Sequence, residues 1–120
     1  MSNRFAIAAV AAFTFALPQA AFAELKRVQD KSEFVSLVQG KTLSRPLVRL
    51  TVSPDGNITG RGATWDVTGS WKWQDGFFCR DLNWGGDDLG YNCQAVLANG
   101  SEMRFIADQG AGQSADFRLR

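Results

Sequence analysis

The chain predicts a mainly β fold: a small antiparallel meander forming a curled sheet or barrel of about seven strands with one N-terminal helix, the alternative being a two-sheet β-sandwich. Three observations carry this. From Pro46 onward apolar and polar residues alternate with period two, and turn-forming residues interrupt the alternation about every ten positions, the rhythm of a meander. The run Trp65, Val67, Gly69, Trp71, Trp73 against Asp66, Thr68, Ser70, Lys72, Gln74 has one apolar face and one wet face. Finally, Cys79 and Cys93 are the only two cysteines, so they allow one intramolecular disulfide.

Residues 1–23 read as an export signal. Arg4 precedes an apolar stretch over residues 5–17, and Ala21-Phe22-Ala23 puts small residues at −3 and −1 of a cut between Ala23 and Glu24. Pro18-Gln19 ends the run short of the roughly 20 apolar residues a membrane-crossing helix needs, so no stable membrane span is expected after cleavage. The mature chain, residues 24–120, is then one disulfide-stapled β domain of a periplasmic or secreted bacterial protein, a setting in which Cys79 and Cys93 can pair. Closing a loop of about 14 residues contributes roughly 3 kcal/mol in the chain-entropy model. The predicted leader carries one charged side chain, Arg4, and the full chain has a formal net charge of +1. Acidic and basic side chains are interleaved, which argues against nucleic acid as a partner, because phosphate binding needs a concentrated cationic face.

Asp30-Lys31-Ser32-Glu33 has the form of a capping box, and Phe34, Leu37 and Val38 fall on one helical stripe closed by Gly40. A helix this short is marginal alone and must lay its stripe on a sheet. Val48, Leu50 and Val52 start the strands, Pro54-Asp55-Gly56 turns the chain, and residues 57–60 return. In the long strand that follows, Gly69 is expected to mark a bend or bulge. At Asp75-Gly76 a three-residue loop, residues 74–76, sets Trp73 opposite Phe77 and Trp71 opposite Cys79, keeping odd positions inside. The two-residue alternative stacks Arg80 across from Trp71 and turns Cys79 outward. Directly opposed cysteines centre the next hairpin on Gly86. Tyr91, Cys93, Ala95 and Leu97 continue the odd face to Asn99-Gly100, a type I′ turn signal, and Met103, Phe105, Ala107, then Ala115, Phe117, Leu119, complete it.

Motifs for chemistry are few. Residues 110–115 spell G-x-G-x-x-A, but the residues after Ala115 alternate like a strand, whereas a dinucleotide fingerprint opens a helix. The chain has no histidine, which removes the usual catalytic base and the usual nitrogen ligand of zinc. Asp87-Asp88 has two clustered carboxylates but no further ligand at the spacing of a known calcium loop. No catalytic residues, metal or cofactor are therefore assigned. The aromatic residues Trp65, Trp71, Trp73, Trp84 and Tyr91 stand out, since curled sheets use such rings to fill cores or to line ligand cavities. Trp84, beside the glycine-rich segment 85–90, is expected to be exposed and available to a partner.

The run Trp71-Lys72-Trp73-Gln74-Asp75-Gly76-Phe77-Phe78-Cys79-Arg80, with Tyr91-Asn92-Cys93-Gln94, resembles small exported bacterial proteins sometimes labelled dihydrodipicolinate reductase, over residues 34–117. The resemblance implies an exported disulfide domain and brings no catalytic residue onto a position of this chain.

The expected function is a non-enzymatic binding module for a small ligand or a protein partner, using a cavity lined by Trp65, Trp71 and Trp73 or the loop carrying Trp84, Asp87 and Asp88. The alternative is a protein-directed enzyme inhibitor or accessory subunit; the third reading is an enzyme, a reductase by family label only. A cavity large enough for a ligand favours the first, and a filled barrel with an exposed apolar patch favours the second.

Overall fold

A computed structural model describes residues 24–120; the expected leader and its cleavage position at Ala23 lie outside the described residues. In chain order the elements are β1 (Lys26–Val28), α1 (Lys31–Val38), β2 (Leu43–Arg45), β3 (Val48–Val52), β4 (Asn57–Gly62), β5 (Trp65–Gln74), β6 (Phe77–Trp84), β7 (Asp87–Ala98), β8 (Glu102–Ile106), a 3₁₀ turn (Asp108–Gly110) and β9 (Ser114–Leu119). All strand pairs are antiparallel. The order β7-β6-β5-β4-β3-β2-β9-β8 closes through a further β7–β8 ladder. Eight strands thus form a barrel, which abolishes the edges a sandwich would leave. The long β7 makes closure possible: Asp87 to Gln94 pair with β6, and Ala95 to Ala98 pair with β8. β1 lies outside the closed ring, paired with Val96, Leu97 and Ala98.

The helix forms as the sequence predicts. Asp30 accepts a hydrogen bond from the Glu33 amide at 2.8 Å and one from the Ser32 hydroxyl at 3.0 Å; the Glu33 amide first, and Ser32 second, hold its carboxyl below the ordinary carboxylate range. Phe34 and Val38 are buried, and Gly40 at φ 72° ends the helix. Phe34, wholly buried, has its ring 5.1 Å from Trp71, 5.2 Å from Trp73 and 5.1 Å from Phe78. The helix therefore plugs one end of the barrel. The indole N–H of Trp71 donates to the Ser53 carbonyl at 2.8 Å and that of Trp73 to the Gln29 carbonyl at 3.2 Å, so neither polar tip is stranded in the plug.

Two hairpins differ from the sequence expectation, and their effects cancel. Asp75-Gly76 is a two-residue turn with positive φ at both positions, 53° and 82°, the type I′ geometry that matches strand twist. Trp73 therefore faces Phe78 and Trp71 faces Arg80. Even positions of β6 point inward, and since Cys79 still faces Cys93, even positions of β7 do too. Tyr91, Cys93, Ala95 and Leu97 are on the outer face, not the inner one. The second difference restores the parity. Asn99-Gly100 is not a type I′ pair: Ala98 faces Met103, and the Asn99 side chain accepts from the amides of Ser101 and Glu102 across a longer loop. Odd positions of β8 and β9, including Met103, Phe105, Phe117 and Leu119, thus face inward as expected.

Gly69 makes no bulge. Its pairing with Ile58 and Leu82 is in continuous register, and a Cβ there would lie 2.2 Å from the Asp81 carbonyl, so glycine permits close strand approach. The register shift lies instead between Leu82 and Asn83 on β6, opposite β7, where Leu82 faces Gly90 and Asn83 faces Asp88. Leu89 is thereby squeezed out and left exposed.

A half-open barrel and its candidate ligand chamber

Alternating hairpins define two barrel ends. The turns before β4, β6 and β8 lie with the helix at the plugged end, and those before β3, β5 and β7 at the other. That second end is open. A cavity of about 520 Å³ enters there, walled by aliphatic residues such as Leu50, Val52, Ile58 and Leu82. Phe78 and Phe105 belong both to its lining and to the aromatic cluster around Phe34, with ring centroids 5.2 Å apart. The plug is thus the chamber floor. Eight-stranded barrels have an interior just wide enough to be filled by side chains or to hold one small ligand; here the helix end is filled and the far end is not.

The lip is built from tight turns. Arg45 faces Val48 across Pro46-Leu47, a turn in which Leu47 sits at φ 66° with 81% of its surface exposed. Glycine or asparagine normally takes such a position. Its carbonyl accepts from the Ala63 amide at 2.7 Å, joining this turn to the one after β4. Trp84 packs over Gly62, where an added Cβ would come within 1.7 Å of the indole, and it lines the chamber. Trp84 is half-buried rather than exposed as expected, because the even register of β6 turns it inward.

Of the other aromatic candidates, Trp71 and Trp73 belong to the plug and do not line the chamber. Trp65 is 55% exposed at the rim, its ring against Gly85. Tyr91 is also exposed, on the outer face of β7 with its hydroxyl 3.5 Å from Cys93 Sγ and Lys72 Nζ 5.7 Å above its ring. Cys79 and Cys93 form the disulfide, and Cys79 is almost wholly buried although its strand position faces outward. Asp87 and Asp88 are exposed on β7; the Asp88 carboxylate accepts from the Gly90 amide. Among the described residues no group of three or more His, Cys, Asp or Glu side chains is placed to hold a metal ion. The 110–115 segment runs from the 3₁₀ turn straight into β9.

Sequence reasoning missed Arg80 as a site residue. Its inward position follows from the two-residue hairpin: it faces Trp71 on β5 and Asn92 on β7, and it lines the chamber with Gln94 on the neighbouring strand. One guanidinium N–H donates to the Gly90 carbonyl at 2.7 Å. Burial pushes its pKa below the ordinary arginine range, and the Asp81 carboxylate partly offsets that. Arg45, at the lip, is the second cation of the lining, with its guanidinium carbon 5.6 Å from the Phe117 ring centroid. No carboxylate belongs to the lining among the described residues.

Outside the lip the cations continue. Glu102, Arg118, Ser44, Arg49, Arg61 and Asp66 are successive paired positions across β8, β9, β2, β3, β4 and β5. Arg49 and Arg61 face one another directly, a like-charge pairing that disfavours the fold. The Arg61–Asp66 contact is 3.4 Å, and Arg104 binds Asp116 through two bonds of 2.7 and 3.1 Å. Asp116 is thus neutralised by Arg104, whose hydrogen bond holds its carboxyl below the usual range. The outer wall that adjoins the lip at Arg45 and Leu47 is left predominantly cationic.

No protein-family model matches the chain, and no curated protein and no solved structure matches it significantly.

Proposed function

We propose that this chain is a non-enzymatic binding module that holds a small, largely apolar molecule in the open half of its barrel. The observation that supports the reading is the chamber itself. Protein interiors pack to crystal-like density with few voids larger than a water molecule, yet about 520 Å³ stays open here behind an apolar wall, within the roughly 300–1,000 Å³ range of small-molecule sites. The disulfide and the leader-like residues 1–23 support a periplasmic or secreted setting for such a module. The apolar wall, with single polar groups at Arg80 and Gln94, suits binding.

A second reading has one observation in its favour. Leu89 and Tyr91, 51% and 52% exposed, stand on the outer face of the disulfide-braced β6–β7 hairpin, where a protein-directed inhibitor or accessory subunit would present a rigid contact.

A titration with the uncharged fluorophore N-phenyl-1-naphthylamine separates the two. The expected result is a saturable rise in fluorescence with one site per chain. Ala115→Phe, which adds a ring to the chamber wall, should abolish that rise while the circular dichroism spectrum stays unchanged, whereas Leu89→Ser with Tyr91→Ser should leave it intact. Binding that survives Ala115→Phe and disappears with the outer-face pair would remove the chamber reading.

A further inference from the structure

We infer that the chamber selects anionic amphiphiles, molecules with an apolar body and a single acidic head such as a carboxylate, and that Arg80 is the residue that reads the head. The inference rests on the chamber reading above and adds the ligand's charge.

Arg80 is a partly buried cation whose neighbours along its strand, Phe78, Leu82 and Trp84, are apolar lining residues. A charge removed from water is costly unless it is paired, and the chamber lining supplies no carboxylate among the described residues. The single bond to the Gly90 carbonyl occupies one of five guanidinium N–H donors. The fork geometry of the remaining donors suits a carboxylate or another planar-faced acid, and the Gln94 amide lies on the same wall, one strand over. Folding accounts for one of the guanidinium donors, through the bond to the Gly90 carbonyl beside the register shift. A methionine or leucine at position 80 would continue the wall formed by Phe78, Leu82 and Trp84 without any desolvation cost.

The surroundings of the lip point to the same sign of ligand. Arg45 stands at the lip, and Arg49, Arg61 and Arg118 lie with Ser44 on one row of the adjoining outer wall, bounded by Glu102 and Asp66. The opposed arginines 49 and 61 weaken the sheet, and a cationic wall beside the lip raises the local concentration of anions and speeds their capture. A cationic amphiphile would meet Arg45 on entry and Arg80 inside. A neutral one would desolvate Arg80 further without supplying a counter-charge.

Three probes sharing one twelve-carbon tail test this: dodecanoate, dodecan-1-ol and dodecyltrimethylammonium, each displacing N-phenyl-1-naphthylamine from the protein below its micelle concentration. Dodecanoate should bind about ten-fold or more tighter than dodecanol, the scale of a charge-assisted hydrogen bond, and dodecyltrimethylammonium should bind weakest. Arg80→Gln should bring dodecanoate to within about twofold of dodecanol, and Arg80→Lys should keep part of the preference. If Arg80→Gln fails to fold, the wild-type ranking of the three heads decides alone. Equal affinity for dodecanoate and dodecanol, or a preference that survives Arg80→Gln, overturns the role of Arg80 but leaves the chamber standing. Failure of the fluorophore and of all three tails to bind removes the chamber reading as well.

Discussion

Phe34→Ala should destabilise the protein more than any other single truncation, lowering the unfolding free energy by about 3–5 kcal/mol. Phe34 is fully buried and its ring meets Trp71, Trp73, Phe78 and Phe105 at centroid distances of 5.1, 5.2, 5.1 and 6.5 Å. Aromatic pairs of this kind add about 0.5–1.5 kcal/mol each beyond burial of their area. The helix has eight residues and cannot hold itself against the barrel by propensity alone, so losing its anchor detaches the plug as well as opening a void. Domains of this size have only about 5–15 kcal/mol in total. Urea unfolding followed by tryptophan fluorescence gives the measurement: a midpoint shift equivalent to less than about 1 kcal/mol would mean that the helix rests on the barrel without closing it.

Loss of the disulfide should be the next largest effect. Cys79 and Cys93 enclose a separation of 14 residues, for which the chain-entropy model gives about 3 kcal/mol. For a domain of roughly this size that corresponds to a fall in melting temperature of roughly 12–24 °C. The Cys79→Ala/Cys93→Ala pair, or reduction of the native protein, should show it by circular dichroism. Because the bond lies on the outer face while Arg80 and Phe78 face inward, the surviving folded fraction should still bind the neutral fluorophore with near-native affinity. Equal melting temperatures with and without the bond would show that the β6–β7 register holds without it.

Seven of the nine strands, the helix and its cap were legible because each is a local pattern: period two from Val48 onward, the Asp30 cap, the stripe of Phe34 and Val38; β1 and β2, of three residues each, are too short to show a period. Barrel closure was legible only as one of two architectures, since alternation is the same in a barrel and a sandwich; what decides is the ladder between β7 and β8, a pairing that no local pattern encodes. Whether the barrel keeps a cavity was not legible, because inward rings fill cores and line cavities with the same pattern. Tryptophans 71 and 73 do face inward, but they meet the helix, and the space lies at the other end behind Trp84 and Leu50.

Arg80 was hidden by a single residue of loop length. A three-residue loop at Asp75-Gly76 would have placed Cys79 inside and Arg80 in solvent. The two-residue loop reverses both. Asp-Gly is a strong signal for the shorter turn, and an inward cysteine beside Trp71 was the competing attraction. The disulfide tolerates the outer face because its two ends remain directly opposed in either register.

Intermolecular nuclear Overhauser effects between bound N-phenyl-1-naphthylamine and the methyl groups of the barrel test the half-open barrel most directly. The structure predicts contacts to Val52, Ile58 and Leu50, the wall of the chamber, and none to Val28 or Val38 behind the aromatic floor. Contacts confined to Leu89 on the outer face, or reaching Val38, would contradict it.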